Sequence, residues 1–248
     1  MKILGIDTNA KTVKGSEFGY LTGISYLAPS DESGVANTCP DASSGCRSAC
    51  LFTAGRGAMD SVKTARVNKT LAFFKNKNVW MKQLALEITR LIKKAKKEGK
   101  LPCIRLNGTS DLPWERVKLD GKNIMEHFPT VQFYDYTKSI ARMRGFLSGE
   151  LSSNYHLTFS RSEDNESSVD EVLAAGGNVA VVFRGSLPET FKGYKVVDGD
   201  LTDLRFADEK NVVVGLTQKG QAKKDESGFV VEPLVGVPPV GEVDMVLV

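Results

Sequence analysis

Apolar positions along this chain follow a helical period early and a strand period later. Over residues 58–74, Val62, Ala65, Leu71 and Phe74 are available to one side of a helix. A clearer helix follows, in which Trp80, Leu84, Ile88, Leu91 and Ala95 recur every three or four residues. Lys82, Glu87, Arg90, Lys93 and Lys97 take its other face. Gly99 stops it and Pro102 prevents its return. Ahead of these helices, residues 18–27 read as a strand bent near Gly19 and Gly23, and residues 29–37 as a polar loop. Beyond residue 102, short β-rich runs appear at 103–106, 131–136, 155–159, 179–183, 194–197 and 212–216. Residues 140–151 between them are rich in helix formers, and residues 168–176 open on an N-capping Ser168 and close on Gly176.

Strand, helix and strand at a steady interval is the pattern of parallel βα units, because a parallel crossover needs about a dozen residues or more. The fold predicted is therefore α/β: a single TIM-like parallel β/α barrel, incomplete or irregular, behind an irregular N-terminal segment that carries cysteines. The last two crossovers are too short for full helices, so eight regular repeats are not expected. One domain over residues 1–248 divides into an N-terminal strand and loop segment (1–57), the βα units (58–227) and a C-terminal tail (228–248).

The ends of the central runs are polar, at residues 107–111, 135–138, 158–161 and 183–185. Lys138, Arg161 and Arg184 follow one another at an interval of 23 residues. In parallel units a repeated offset means a repeated spatial level, so three cations are expected on adjacent strands at the carboxyl rim, where α/β barrels carry their sites. Such a set suits phosphate or carboxylate. The alternative is that each cation caps its own strand or pairs with Asp135, Glu163 or Asp111.

Composition narrows the class without naming a reaction. With 248 residues, 41% of them hydrophobic and 25% charged, this is ordinary globular material. A net charge of +3 is too mild to establish nucleic-acid binding by itself. No window approaches the roughly 18 uncharged apolar residues of a membrane span. The apolar stretch Ile3 to Ile6, ending at Asp7, falls short of the about 7 to 15 residues of a secretory leader, so a cytoplasmic location is expected. Four cysteines in such a compartment are thiols or metal ligands rather than disulfides.

Three of them, Cys39, Cys46 and Cys50, share one loop, with Pro40, Ser43, Ser44 and Gly45 supplying its turns. Soft sulfur donors suit zinc or iron with sulfide. A structural zinc site wants four ligands, so Cys103 or His156 would have to complete it. Three thiols without a fourth fit an iron-sulfur cluster with an open position on one iron; three small buried residues without metal are the plain alternative. Residues 54–57 then run into a helix start, where backbone N–H groups and Arg56 suit an anion, or where the chain simply turns.

The segment from Thr38 through Cys39, Cys46 and Cys50 to Leu51 resembles the cysteine segment of a phage family, the gene product eighty-eight domain. The wider layout also resembles radical S-adenosylmethionine enzymes: a cysteine loop before a helix, then a strand ending in Asn107, Gly108, Thr109, Ser110 and Asp111. That ending is similar to the Gly-Gly-Glu-Pro motif that holds the methionine amino group in those enzymes. The resemblance implies a phage metalloenzyme in the host cytoplasm, with a four-iron cluster on Cys39, Cys46 and Cys50. Asn107, Gly108 and Asp111 would then face S-adenosylmethionine. The chain departs from the pattern in spacing, seven then four residues between cysteines, and in Asp111 standing where Glu is usual.

Two classes of function follow. As an enzyme the chain acts on a nucleotide, a nucleic-acid base or another anionic substrate. Lys138, Arg161, Arg184 and Arg56 bind the anion, and Asp111 or Asp135 transfers protons. A redox-free variant is a zinc-stapled transglycosylase that uses Asp111 and Asp135 as nucleophile and base. As a binding module it is a metal-stapled nucleic-acid-binding protein in which Trp114, Tyr134, Tyr136 and Phe159 offer stacking surfaces. His127 and His156 stand in no metal-spaced pair, and neither a Walker loop nor a Gly-x-Gly-x-x-Gly motif is present.

Overall fold

A computed structural model describes residues 1–6 and 10–233. Part of the leader argument at Asp7 and most of the predicted tail, from 234 onward, lie outside the described residues. The strands are β1 (Leu4–Ile6), β2 (Tyr20–Ser25), β3 (Leu101–Arg105), β4 (Lys118–Leu119), β5 (Lys122–Asn123), β6 (Gln132–Thr137), β7 (Tyr155–Ser160), β8 (Val179–Phe183), β9 (Thr190–Phe191), β10 (Tyr194–Asp198), β11 (Val213–Thr217) and β12 (Val230–Val231). The α-helices are α1 (Ala10–Glu17), α2 (Ser44–Ser48), α3 (Asp60–Lys75), α4 (Lys77–Lys97), α5 (Ile124–His127), α6 (Ile140–Leu147) and α7 (Glu166–Ala174).

Ten strands form one mixed, mostly parallel sheet in the order β1-β2-β3-β6-β7-β8-β11-β10-β9, with β12 beside β8. From β2 to β11 the neighbours are parallel and stand in chain order; β1 and β9 are antiparallel edges. Among the described residues these two edges do not pair with each other. The α/β class and the mostly parallel order expected from the βα rhythm are formed, but among the described residues the sheet is open and does not close into a TIM-like barrel. The rhythm fails late: β9 and β10 make a short antiparallel pair, which places β10 at the periphery and lets β11 enter between it and β8.

One face of the sheet carries α4, α6 and α7, while α1 approaches Leu204 on the other. Ile104, Phe133, Tyr155, Leu157, Phe159, Val179 and Val181 alternate along their strands and pack with Leu84, Ile88 and Leu91 of α4, Met143 of α6 and Val172 of α7 in a single core. The stripe predicted for α4 is that buried face. The helix expected to start at Ser168 starts earlier, because the Asn165 side chain accepts from the Ser162 amide and turns the chain there (2.7 Å). On the other face Cys103 and Tyr134 meet Leu204, and Arg205 is buried close by.

The stretch beginning the predicted tail is structured. Val230 and Val231 pair with Val182 and Phe183 on the edge of β8 that β7 occupies only at Val179 and Ala180. Residues 220–231 thus form a wedge where β7 and β8 separate. No helix among the described residues is long and apolar enough to cross a membrane.

Candidate functional site

The carboxyl ends of β2, β3, β6, β7 and β8 bring the chemistry-bearing loops to one rim. The loop after β2 is tied to the turn after β3: the Asp111 amide donates to the Thr38 carbonyl (2.8 Å), and Thr109 Oγ1 donates to the Leu27 carbonyl (2.6 Å). Cys39 Sγ lies 3.8 Å from the Thr109 carbonyl. Gly108 sits where nothing larger fits, since a Cβ there would stand 2.5 Å from the Tyr26 ring and 2.7 Å from the Ser25 carbonyl.

Cys46 is carried by α2. Ser43 caps that helix, its Oγ accepting from the Cys46 amide (3.1 Å), while Glu163 from beyond β7 accepts from Ser43 Oγ and from the Gly45 amide (2.7 Å each). The Lys138 ammonium reaches Cys46 and is itself fixed by Ser160 Oγ (2.6 Å) and the Phe229 ring (5.4 Å). Cys50 ends the helical turn, and Arg66 of α3 acts on it electrostatically. Burial raises all three thiols, Cys50 to about 11, and each thiol is near enough to influence another. Cys103 stays apart, buried against Thr22 Oγ1 (3.2 Å) and pushed up to about 12 by that burial. Neither it nor His156 joins the three. Among the described residues no group of three or more His, Cys, Asp or Glu side chains is drawn together as a metal-holding set.

The two aspartates lie in one buried network. Asp111 accepts from the Lys138 amide (2.8 Å), from Thr137 Oγ1 (3.2 Å) and from Arg142. Arg142 also grips Glu115 with two donors and donates to Tyr155 Oη (2.8 Å), which in turn donates to Asp135 (2.8 Å). Asp135 further accepts from the Asn107 amide (2.7 Å). Burial raises both carboxyls, Asp135 to about 7, against the pull of these donors. Asn107 holds the turn after β3: its Oδ1 accepts from Ser110, the Leu112 amide and Trp114 Nε1, at 2.8 to 3.0 Å.

The rim cations occupy adjacent strands but turn to different partners. Lys138 faces Cys46. Arg161 donates to the Gly228 and Phe229 carbonyls and pairs with Glu166; Arg184 donates to the Lys223 and Asp225 carbonyls and pairs with Glu232. The two arginines therefore clamp the wedge from both sides. Arg56 is exposed in the 3-10 turn Gly55–Ala58. Of the proposed stacking residues, Trp114, Tyr134 and Phe159 are fully buried, and the Tyr136 face is covered by Arg105 (4.7 Å).

The family model described as Gene product 88 matches residues 3–233. The chain belongs to that family. It is the phage family whose cysteine segment the sequence resembles. No curated protein and no solved structure matches the chain.

Several residues that build the site in this Gene product 88 chain carry no motif. Glu163, Glu115, Arg142 and Tyr155 act through partners distant in sequence. Arg66 did leave a trace: with Thr70 and Phe73 it forms the buried stripe of α3, an interval of four and then three residues in which a cation replaces an apolar side chain.

Proposed function

We propose that this Gene product 88 family chain is a radical S-adenosylmethionine-like enzyme that acts on a nucleotide, a nucleic-acid base or another anionic substrate. The observation carrying this reading is positional. The loop after the first inner strand brings Cys39, Cys46 and Cys50 against the turn 107–111 after the second and Lys138 after the third. All stand at the carboxyl rim of parallel strands laid side by side in chain order.

Three soft thiol donors on one loop support an iron-sulfur cluster with an open position on one iron. A single zinc needs thiolates about 2.3 Å away on every side, usually four of them. Only three thiols lie on the loop, with Cys103 and His156 apart from them, and a cluster can be held by three. Cys39, Cys46 and Cys50 would hold it, and once reduced it would supply the electron for cleaving S-adenosylmethionine. The chain's own residues do the positioning. Gly108 lets the turn lie flat on Tyr26, Asn107 fixes that turn, and Asp111 anchors the backbone from which Lys138 reaches the thiols. Lys138 then meets the negative charge of the substrate. The four free thiols support a reducing, cytoplasmic setting.

The zinc-stapled transglycosylase reading is weaker, because Asp135 lies within the core and both carboxylates are occupied by the Arg142 and Tyr155 network. The nucleic-acid-binding reading loses its platforms to burial.

The test is anaerobic reconstitution with iron and sulfide. Equal iron and sulfide, a broad band on the order of 400 nm, and reductive release of 5′-deoxyadenosine from S-adenosylmethionine are expected. Cys39→Ser, Cys46→Ser and Cys50→Ser should each abolish the release. One colourless zinc per chain and no cleavage would replace this reading with the stapled one.

A further inference from the structure

Arg66 stands in the interior beside the cysteine loop, 8% exposed, with no ion pair among the described residues. Its guanidinium lies between the rings of Tyr26 (5.1 Å) and Phe52 (5.4 Å), and one terminal nitrogen, Nη1, is buried without a hydrogen-bond partner. That nitrogen approaches Gly57, where an added Cβ would come within 3.4 Å of it. Arg66 and Cys50 act on each other electrostatically, and Tyr26 is the ring on which Gly108 rests. The aromatic faces soften the burial of this charge, but a carboxylate would compensate it far better, and none is supplied.

A buried arginine without an anion is costly unless an anion arrives with a ligand. Metal ligation by cysteine requires thiolates. Three thiolates bring three negative charges, and a divalent ion or a doubly charged cluster core cancels two; Lys138 stands at Cys46, where Glu163 acts against it, and at Cys50 the cation is Arg66.

We propose that Arg66 is the counter-cation of the Cys39, Cys46 and Cys50 set in its metal-bound form. It is a positioning residue that makes no bond to the metal and supplies positive charge on the Cys50 side, as Lys138 does at Cys46. This rests on the reading of the three cysteines as metal ligands given above. It also accounts for a cation in the buried stripe of α3, where Thr70 and Phe73 are its neighbours.

The experiment compares wild type, Arg66→Gln and Arg66→Lys, each purified anaerobically and loaded either with ferrous iron and sulfide or with zinc alone. Metal retention against a chelator is measured, together with the melting midpoint of the metal-free chains. Arg66→Gln should weaken retention by about 10-fold to 100-fold, the range for residues that support metal ligands without touching the metal. Its metal-free chain should melt at the wild-type temperature or above, since an uncompensated charge has been removed. Arg66→Lys, which keeps the charge, should recover most of the retention. Retention by Arg66→Gln equal to wild type overturns the proposal while leaving the cysteine reading intact. A metal-free Arg66→Gln chain that melts lower or fails to fold assigns Arg66 to packing and also overturns it. A wild-type chain that takes up neither load sinks both readings.

Discussion

Arg142 and Arg66 are both buried arginines near the same rim, and their surroundings are opposite. Arg142, 5% exposed, meets Asp111, Glu115, Thr137 and Tyr155. Arg66, 8% exposed, meets two rings and no acid. On the 107–115 side, charges close on one another and hold a turn in place. On the 39–66 side, a guanidinium stands beside thiols that burial keeps protonated, with no acid against it. The lesson is that polarity at a rim does not by itself mark a reactive group, because a fully partnered network is structure.

Breaking the partnered side should have the largest effect. Arg142→Met strands Asp111 and Glu115 as buried acids and is expected to cost about 3–5 kcal/mol in urea unfolding. A loss below about 1 kcal/mol would mean that these acids find other partners. Gly108→Ala, at the seam between the two sides, forces a Cβ against the Tyr26 ring and the Ser25 carbonyl. It is expected to cost about 1–3 kcal/mol, with faster alkylation of Cys39 because the 107–111 turn shifts away from it. Unchanged stability would show that the seam yields easily.

The pH dependence of stability sharpens the contrast further. Burial pushes the Asp135 carboxyl from 3.8 up to about 7. Across that interval the unfolded chain releases its proton first, so the contribution of Asp135 to stability declines as pH rises. His156 is lowered from 6.5 to about 4 by burial and then by Arg205. There the unfolded chain takes up the proton first, so its contribution is lost as pH falls through the same region. The two slopes oppose each other. Asp135→Asn should unmask a stability that rises between about pH 4 and 6.5, read from urea midpoints; a midpoint still falling with pH would assign the titration to another group.

The smallest effect belongs to the wedge. Arg184→Ala removes two bonds to the Lys223 and Asp225 carbonyls and should quicken amide exchange at Val230 and alkylation of Cys46 several-fold, with global stability changed by about 1 kcal/mol. If neither rate changes, the wedge is held by its apolar contacts alone.

The inner strands and α4 were legible because each carries its own period; α3 was legible as a helix but not in its face, since Ala65 and Leu71 of the expected apolar side are exposed and Arg66, Thr70 and Phe73 are buried in their place. Residues 131–136 and β6 agree within a residue, and the apolar stripe of α4 is its buried face. Even the buried nature of Asp135 was written locally, since it lies two residues from Phe133 and shares its side of the strand. The placement of β11 inside β10, and of β12 beside β8, depends on pairings between residues far apart, for which Val230 and Val231 offer too short a signal. The interval joining Lys138, Arg161 and Arg184 placed them on adjacent strand ends. Their directions came from partners no spacing encodes: Ser160 for one, and the carbonyls of residues 223–229 for the others.

The wedge has a consequence for assembly in time. Ala222, Phe229 and Val230 pack against Ala49 and Cys46, so the piece that covers the thiol loop comes almost 200 residues later in the chain (229 against 46). During synthesis the loop and every inner strand that frames it emerge from the ribosome before their cover does. The Cys46 side of the loop therefore reaches its final packing only when the last described strand has docked beside β8.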